Sequence, residues 1–280
     1  MTYSLKNLIC FYCMAASSLF FFPETAASQT KTVQLFAHRG GAYEFDENTL
    51  SAFESSYNEG LRGFETDVRL SKDGELVIFH DASLERMTGQ QGSIEELTSS
   101  ELKAITTKKG NPILFLGELL DYFADKPGIY LELEMKTNEK HYPQEKLEQY
   151  CDQLYGMVMP KKPASSTYLF TSFDKRPLRY IKETYPDADM LFITSKPCSE
   201  ETVRETLELG LNRLGCNLDG TSRASVKQAQ EAGVLVSCWP GRSIEDFRLG
   251  VALGCDYLCS DVPVQVKRWA DNHIKEVNIK

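Results

Sequence analysis

Phe64-Glu65-Thr66-Asp67-Val68-Arg69-Leu70-Ser71-Lys72-Asp73-Gly74-Glu75-Leu76-Val77-Ile78-Phe79-His80 is the stretch on which the fold turns. Two apolar runs, 64–70 and 76–80, are separated by a short polar loop containing Asp73-Gly74. Parallel neighbours in a sheet need a crossover of a dozen or more residues, whereas a short Asp-Gly loop closes a hairpin. The two runs are therefore expected to pair antiparallel. With Leu70 near Glu75, counting outwards brings His80 opposite Glu65, give or take one register step.

Outward from this hairpin the chain alternates between short apolar runs and longer amphipathic stretches. Further strands are expected at 33–37, 129–135, 168–171, 190–194, 213–217, 234–239 and 257–260. Helices are expected at 48–58, 93–105, 145–157, 175–184, 199–208, 222–231 and 243–253, several opening on Ser, Thr or Asn, with Gly60, Gly233 and Gly254 as stops. Repeated strand and helix patterning argues for a parallel sheet. Nine strand candidates are one too many for an eight-stranded barrel, and setting 76–80 aside as the accessory strand of the hairpin resolves the surplus. The expected fold is thus α/β, a (β/α)8 TIM barrel with an accessory antiparallel strand after the second barrel strand.

The first 27 residues differ from the rest. Lys6 is their only basic side chain, an apolar run spans 8–22, and Pro23, Thr25, Ala26 and Ala27 follow. That order is the order of a secretory signal peptide, so 1–27 is expected to be cleaved and 28–280 to form one barrel domain, exported to a periplasm or secreted. The run is shorter than the roughly 20 residues that span a bilayer. Membrane contact would come only through this segment if it stayed uncleaved.

Removing Lys6 and Glu24 leaves 30 basic and 39 acidic side chains and a net charge of −9. Such a balance repels polyphosphate backbones, so nucleic acid is not an expected partner. Cys151, Cys198, Cys216, Cys238, Cys255 and Cys259 remain, an even number that export would permit to pair. Most sit in or beside apolar runs, where a free thiol behaves as a small hydrophobe. No CxxC or Cys/His cluster points to zinc.

Strand alternation points Glu65 and Asp67 to one face, and in a barrel that face is the lumen. The same alternation in Leu131-Glu132-Leu133-Glu134-Met135-Lys136 puts Glu132, Glu134 and Lys136 on one face. Charges inside an apolar strand are costly unless paired or bound to a metal. Two uses remain open: an ion-pair network among Glu132, Glu134 and Lys136, or a hard cation held by carboxylates from two strands, with Mg²⁺ or Ca²⁺ favoured over zinc. His38 ends the first strand and His80 the accessory strand, whereas His141 and His273 lie in polar surroundings. Catalytic side chains of barrels gather where strands end at the C-terminal mouth.

Across 38–89 the chain carries His38-Arg39-Gly40, Glu47-Asn48-Thr49, Glu65-x-Asp67-Val68, Lys72-Asp73-Gly74, His80-Asp81 and Arg86-x-Thr88. In order and spacing these resemble the glycerophosphodiester phosphodiesterase signature. The resemblance continues at Glu134-Met135-Lys136, Ser172-Phe173-Asp174 and Ser260-Asp261-Val262-Pro263. It implies His38 and His80 as an acid/base pair, Glu65, Asp67 and Glu134 as ligands of one Ca²⁺ or Mg²⁺, and Arg39 and Lys136 as phosphate-binding cations. Phe173 and Trp239 would wall the substrate, with Glu47 and Asn48 supporting the site. Placing His80 near Glu65 makes His80 the expected general acid and His38 the base. Two departures from the family pattern stand out: Asp46 replaces the usual proline before Glu-Asn-Thr, and Trp239-Pro240-Gly241-Arg242 replaces Trp-Thr-Val-Asn.

The implied reaction is metal-dependent hydrolysis of a small glycerophosphodiester to glycerol 3-phosphate and an alcohol. The rivals are a lipid-directed phosphodiesterase, of lysophospholipase D or phosphatidylinositol phospholipase type, and a secreted barrel that binds a phosphorylated ligand without turning it over.

Overall fold

The hairpin opens as expected: β2 (Gly63–Leu70) and β3 (Leu76–Ile78) run antiparallel, with Val68 opposite Ile78 and Leu70 opposite Leu76. Continuing that register puts His80 opposite Thr66, one step from Glu65. The structure is a computed structural model that describes residues 31–274 and 277–280. The proposed signal segment and its cut after Ala27 lie outside the described residues.

The remaining strands are β1 (Lys31–Ala37), β4 (Leu114–Phe115), β5 (Tyr130–Met135), β6 (Thr167–Ser172), β7 (Met190–Pro197), β8 (Arg213–Asn217), β9 (Leu235–Trp239), β10 (Tyr257–Ser260) and β11 (Val277–Ile279). Eight of the described strands close in the order β1-β10-β9-β8-β7-β6-β5-β2 and back to β1, all parallel. The closing seam is narrow, with Ala37 opposite Phe64 its one register pair. Gly63 permits it, because a Cβ there would overlap the Leu35 carbonyl oxygen and the Phe36 Cβ.

Helices cover the outside: Leu50–Asn58 after β1, Leu116–Phe123 after the hairpin, then Gln144–Val158, Lys175–Thr184, Glu200–Glu208, Arg223–Glu231, Ile244–Leu253 and Pro263–His273. Strands covered on both faces explain why every residue of β2 and β5 is buried. Leu131, Leu133 and Met135 pack outward into the main core, while Phe36, Leu169, Leu191, Ile193 and Cys259 fill the lumen. All six cysteines among the described residues are buried free thiols, as their apolar settings suggested.

Five elements depart from the sequence reading. Leu116–Phe123 and Pro263–His273 are helices that no cap residue announced, the first following β4 without a break and the second opening on proline. The expected helix at 93–105 is broken, because Thr98 caps a fresh start at Ser99–Lys103 through a capping box with Glu101. β4 pairs antiparallel with β3, and β11 runs parallel to β1. Strands of two and three residues carry too little pattern to be seen in sequence.

Candidate active site

Parallel pairing of β2 with β5 sets Glu65 opposite Glu132 and Asp67 opposite Glu134. Oxygens of Glu65, Asp67 and Glu134 come within 4.8 Å of one another, the arrangement of a cation site. Glu65 Oε1 and Asp67 Oδ1 are buried and accept no hydrogen bond. Buried carboxylate oxygens without donors are costly, and an all-oxygen set of this kind suits a hard divalent ion. The donor set therefore fits the expected metal. Burial, with Asp67 and Glu134 alongside, pushes the Glu65 carboxyl well above its ordinary range. Burial would raise Asp67 too, but Lys136, His80, Arg39 and the Asn48 amide together hold it below the usual carboxylate range.

The loop after β1 supplies the supports. Arg39 and Asn48 both adopt left-handed backbone, with φ of 53° and 57°, uncommon away from glycine. The turn lets the Arg39 backbone N–H donate to Glu65 Oε2 at 3.0 Å, while Nη1 donates to Glu47 Oε1 at 3.1 Å and Nε lies 3.5 Å from Asp67 Oδ2. Asn48 Nδ2 donates to Asp67 Oδ2 at 2.7 Å, and its Oδ1 accepts from Thr66 Oγ1 at 2.9 Å, which fixes the amide's orientation. Glu47 and Asn48, the expected site supports, thus bond Arg39 and Asp67. Asp46 takes a job of its own, accepting from Thr107 Oγ1 and from Asn111 Nδ2 at 2.8 Å, which ties this loop to the segment before β4.

His38 and His80 are each held by an aspartate. His38 Nδ1 meets Asp261 Oδ1 at 2.5 Å, and His80 Nδ1 meets Asp81 Oδ1 at 2.7 Å. Ionised carboxylates only accept, so each Nδ1 is the donor and each Nε2 is left for chemistry. The hairpin argument had brought Glu65 to His80, but Glu65 Oε2 stands 3.8 Å from His38 Nε2, and His80 has its own acid in Asp81. Arg86 Nε donates to Asp81 Oδ2 at 2.5 Å while Nη1 and Nη2 grip Glu47 at 3.0 and 2.5 Å. A continuous chain of ionic hydrogen bonds therefore runs His80–Asp81–Arg86–Glu47–Arg39. Burial opposes the charge on Glu47 and Asp81, yet their arginine and histidine partners hold both below the usual range.

Asp261, Asp81 and Arg86 were quoted in the sequence as motif residues without a role. One signal was available for Asp261: it directly follows β10, and Ala37 pairs with Ser260, so His38 and Asp261 come next in register.

Lys136 Nζ donates to Glu134 Oε1 at 2.7 Å and lies 3.5 Å from Asp67 Oδ1. The alternative network is thus present only in part, since Glu132 turns away and accepts from Tyr130 OH at 2.5 Å. Burial pushes the Glu132 carboxyl up to about 7.

His38, Arg39, Glu65, His80, Glu132, Glu134 and Lys136 line one cavity of about 310 Å³ whose floor is largely apolar. Phe173 and Trp239 form its rim, edge to face with centroids 5.7 Å apart. Trp239 Nε1 is buried there without a partner, a donor available to a ligand. His141 and His273 are not among the cavity's lining residues.

Comparison with known proteins shows the family and the fold. The Glycerophosphoryl diester phosphodiesterase family matches residues 38–265. A glycerophosphodiester phosphodiesterase of Bacillus altitudinis is 34% identical over 117 residues, 39% of this chain and 48% of that protein, so the chain spans about half the length of such a curated relative. A crystal structure from Silicibacter pomeroyi DSS-3 superposes with a TM-score of 0.80 at 22% identity, over 89% of this chain and 96% of that one. An Oleispira antarctica phosphodiesterase, solved in complex with the product sn-glycerol-3-phosphate, superposes with a TM-score of 0.78 at 25% identity, over 86% and 97% of the two chains.

Proposed function

The chain belongs to the glycerophosphoryl diester phosphodiesterase family, and from that membership we propose that it hydrolyses small glycerophosphodiesters to glycerol 3-phosphate and an alcohol. The observation that carries this reading is the convergence on one cavity of two aspartate-anchored histidines with Glu65 and Glu134, whose oxygens gather with those of the buried Asp67 behind them. Cleaving a phosphodiester requires taking a proton from an attacking hydroxyl and returning one to the departing alkoxide. In this reading His38 Nε2 and His80 Nε2 do one task each, and what supports it is that both line the cavity with Nδ1 engaged by an aspartate. Arg39 and Lys136 orient the phosphate and offset its charge. Glu65, Asp67 and Glu134 would hold one Ca²⁺ or Mg²⁺, which adds positive charge at the phosphoryl oxygens. Phe173 and Trp239 pack against the organic part of the substrate.

The test is a screen of glycerophosphocholine, glycerophosphoethanolamine, glycerophosphoinositol and lysolipids, with and without chelator. Release of glycerol 3-phosphate from the first three, lost with chelator, supports the reading. Turnover of lysolipids alone would replace it with a lipid-directed activity, and turnover of nothing would leave a binding barrel. We also propose that the chain is exported and cut after Ala27; the motivation is the basic, apolar, small order of 1–27. Intact mass of protein from the native host should begin at or near Ser28, and a retained apolar segment would mean an anchor instead.

A further inference from the structure

Behind the barrel wall, away from the cavity, four buried thiols lie near one another. Cys216 on β8 and Cys238 on β9 are register partners with sulfurs 3.9 Å apart. Cys255, in the turn between helix Ile244–Leu253 and β10, brings its sulfur to 2.9 Å from that of Cys238. Cys198 lies close enough to Cys216 for the two thiols to act on each other's charge. None of the four is more than 3% exposed. Non-bonded heavy atoms rest at roughly 3.5–4.0 Å. The Cys216 to Cys238 spacing is such a contact, and the Cys238 to Cys255 spacing is well inside it.

We propose that Cys238 and Cys255 are a disulfide-forming pair whose bond staples the segment that carries the aromatic rim of the cavity. The bond would enclose residues 239–254, which include Trp239, Gly241 and helix Ile244–Leu253. Gly241 is already pressed against the strand that leads to Asp261: its carbonyl accepts from Ser260 Oγ at 3.2 Å and from the Asp261 N–H at 2.7 Å. The staple therefore joins the wall bearing Trp239 to the strand that positions His38. Four thiols have another use, a soft metal, but that needs them gathered tetrahedrally about one point. No three of these sulfurs lie within 4.8 Å of one another, and among the described residues the group of three or more ligands that does so is the carboxylate triad.

The bond forms by thiol–disulfide exchange with a small disulfide oxidant such as glutathione disulfide. The thiolate of one cysteine attacks a sulfur of the oxidant and releases one glutathione thiol. The second cysteine's thiolate then attacks the mixed disulfide, closes the Sγ–Sγ bond and releases the other glutathione. Two protein thiols give up two electrons and two protons, and one oxidant becomes two thiols. Burial of both sulfurs places the exchange during folding and shields the finished bond from reductant afterwards.

The test uses the full chain refolded either in mixed glutathione and glutathione disulfide or in reductant alone. It is then quenched in denaturant with N-ethylmaleimide and digested without reduction. The expected peptide map holds one linked pair, Cys238 to Cys255, two hydrogens lighter than the separate thiols, with Cys216 alkylated. Oxidation should raise Tm by roughly 5–10 °C for a loop of this length. Cys238→Ser and Cys255→Ser should each lose that rise while melting like the unmodified chain in reductant. If a serine variant does not fold, the map of the unmodified chain still decides. Alkylation of both cysteines after oxidative refolding overturns the proposal, as does a Cys216 to Cys238 link. A native mass with a metal held by unlinked cysteines overturns it too. None of these outcomes depends on whether the cavity is catalytic.

Discussion

Asp67 and Glu134 face each other in register across β2 and β5, and Lys136 Nζ reaches both, at 3.5 and 2.7 Å. Lys136 thus shares two of the three gathered carboxylates and Arg39 meets Asp67 and Glu65, yet Glu65 Oε1 is left buried with no donor. Glu65→Gln, Asp67→Asn and Glu134→Gln should each weaken Ca²⁺ and Mg²⁺ binding, by at least the roughly 10- to 100-fold that loss of an outer partner brings. Calorimetry checks this, and unchanged affinity in all three variants would sink the metal site. Glu132→Gln is the control, because Glu132 shares the face but bonds Tyr130 instead.

His38→Ala and His80→Ala should each lower kcat by roughly 10²-fold or more, with metal affinity nearly constant. A substrate with a nitrophenolate leaving group needs little protonation on departure. It should rescue whichever variant has lost the acid and leave the other inactive. Loss of metal binding in both variants would end the acid/base reading.

Arg86 tests whether the ionic chain matters. Its guanidinium alone joins Asp81, behind His80, to Glu47, behind Arg39. Arg86→Ala should lower kcat/KM by roughly tenfold and Arg86→Lys nearly as much, since an ammonium cannot span both carboxylates as a fork does. The readout is kinetic, with circular dichroism as the check that the fold is intact. A kcat/KM equal to that of the unmodified chain in both variants would show the chain to be ornamental to catalysis.

Glu132 makes a prediction about pH. Its folded carboxyl titrates at about 7 against a reference of 4.5, raised by burial. The folded state therefore holds a proton that the unfolded state gives up between those values, so stability falls as pH rises through that window. Across that window of about 2.5 pH units the loss is on the order of 3 kcal/mol, at roughly 1.4 kcal/mol per unit. Denaturant melts in chelator at pH 4.5 and pH 7.5 should show the decline in the unmodified chain and a flatter profile in Glu132→Gln. Equal slopes would assign the decline to other groups.

Much of this site was legible because it rests on local rules. Strand alternation alone put Glu65, Asp67 and Glu134 on one side of their strands, and the structure gathers their oxygens within 4.8 Å of one another. The Asp73-Gly74 loop alone made 76–80 a hairpin return rather than a ninth barrel strand. What escaped notice lacked local signal. β4 is two residues long, and helix Pro263–His273 opens without a side-chain cap. The register of a hairpin slips by one residue when the loop's geometry is unknown, and that step separated His80 from Glu65.

The sequence by itself determined the succession of strands and helices, the faces on which its charges lie and the chemistry those charges offer. These follow from periods of two and 3.6 residues and from the side chains' own functional groups. Which charge meets which was decided only by closure of the barrel. Asp261 reaches His38 across 223 residues, Asn48 meets Asp67 through a left-handed turn, and Glu65 settles beside His38 rather than His80. Contacts of that kind depend on stagger between strands and on loop conformation. Those are properties of the packed whole, and no short window of sequence contains them.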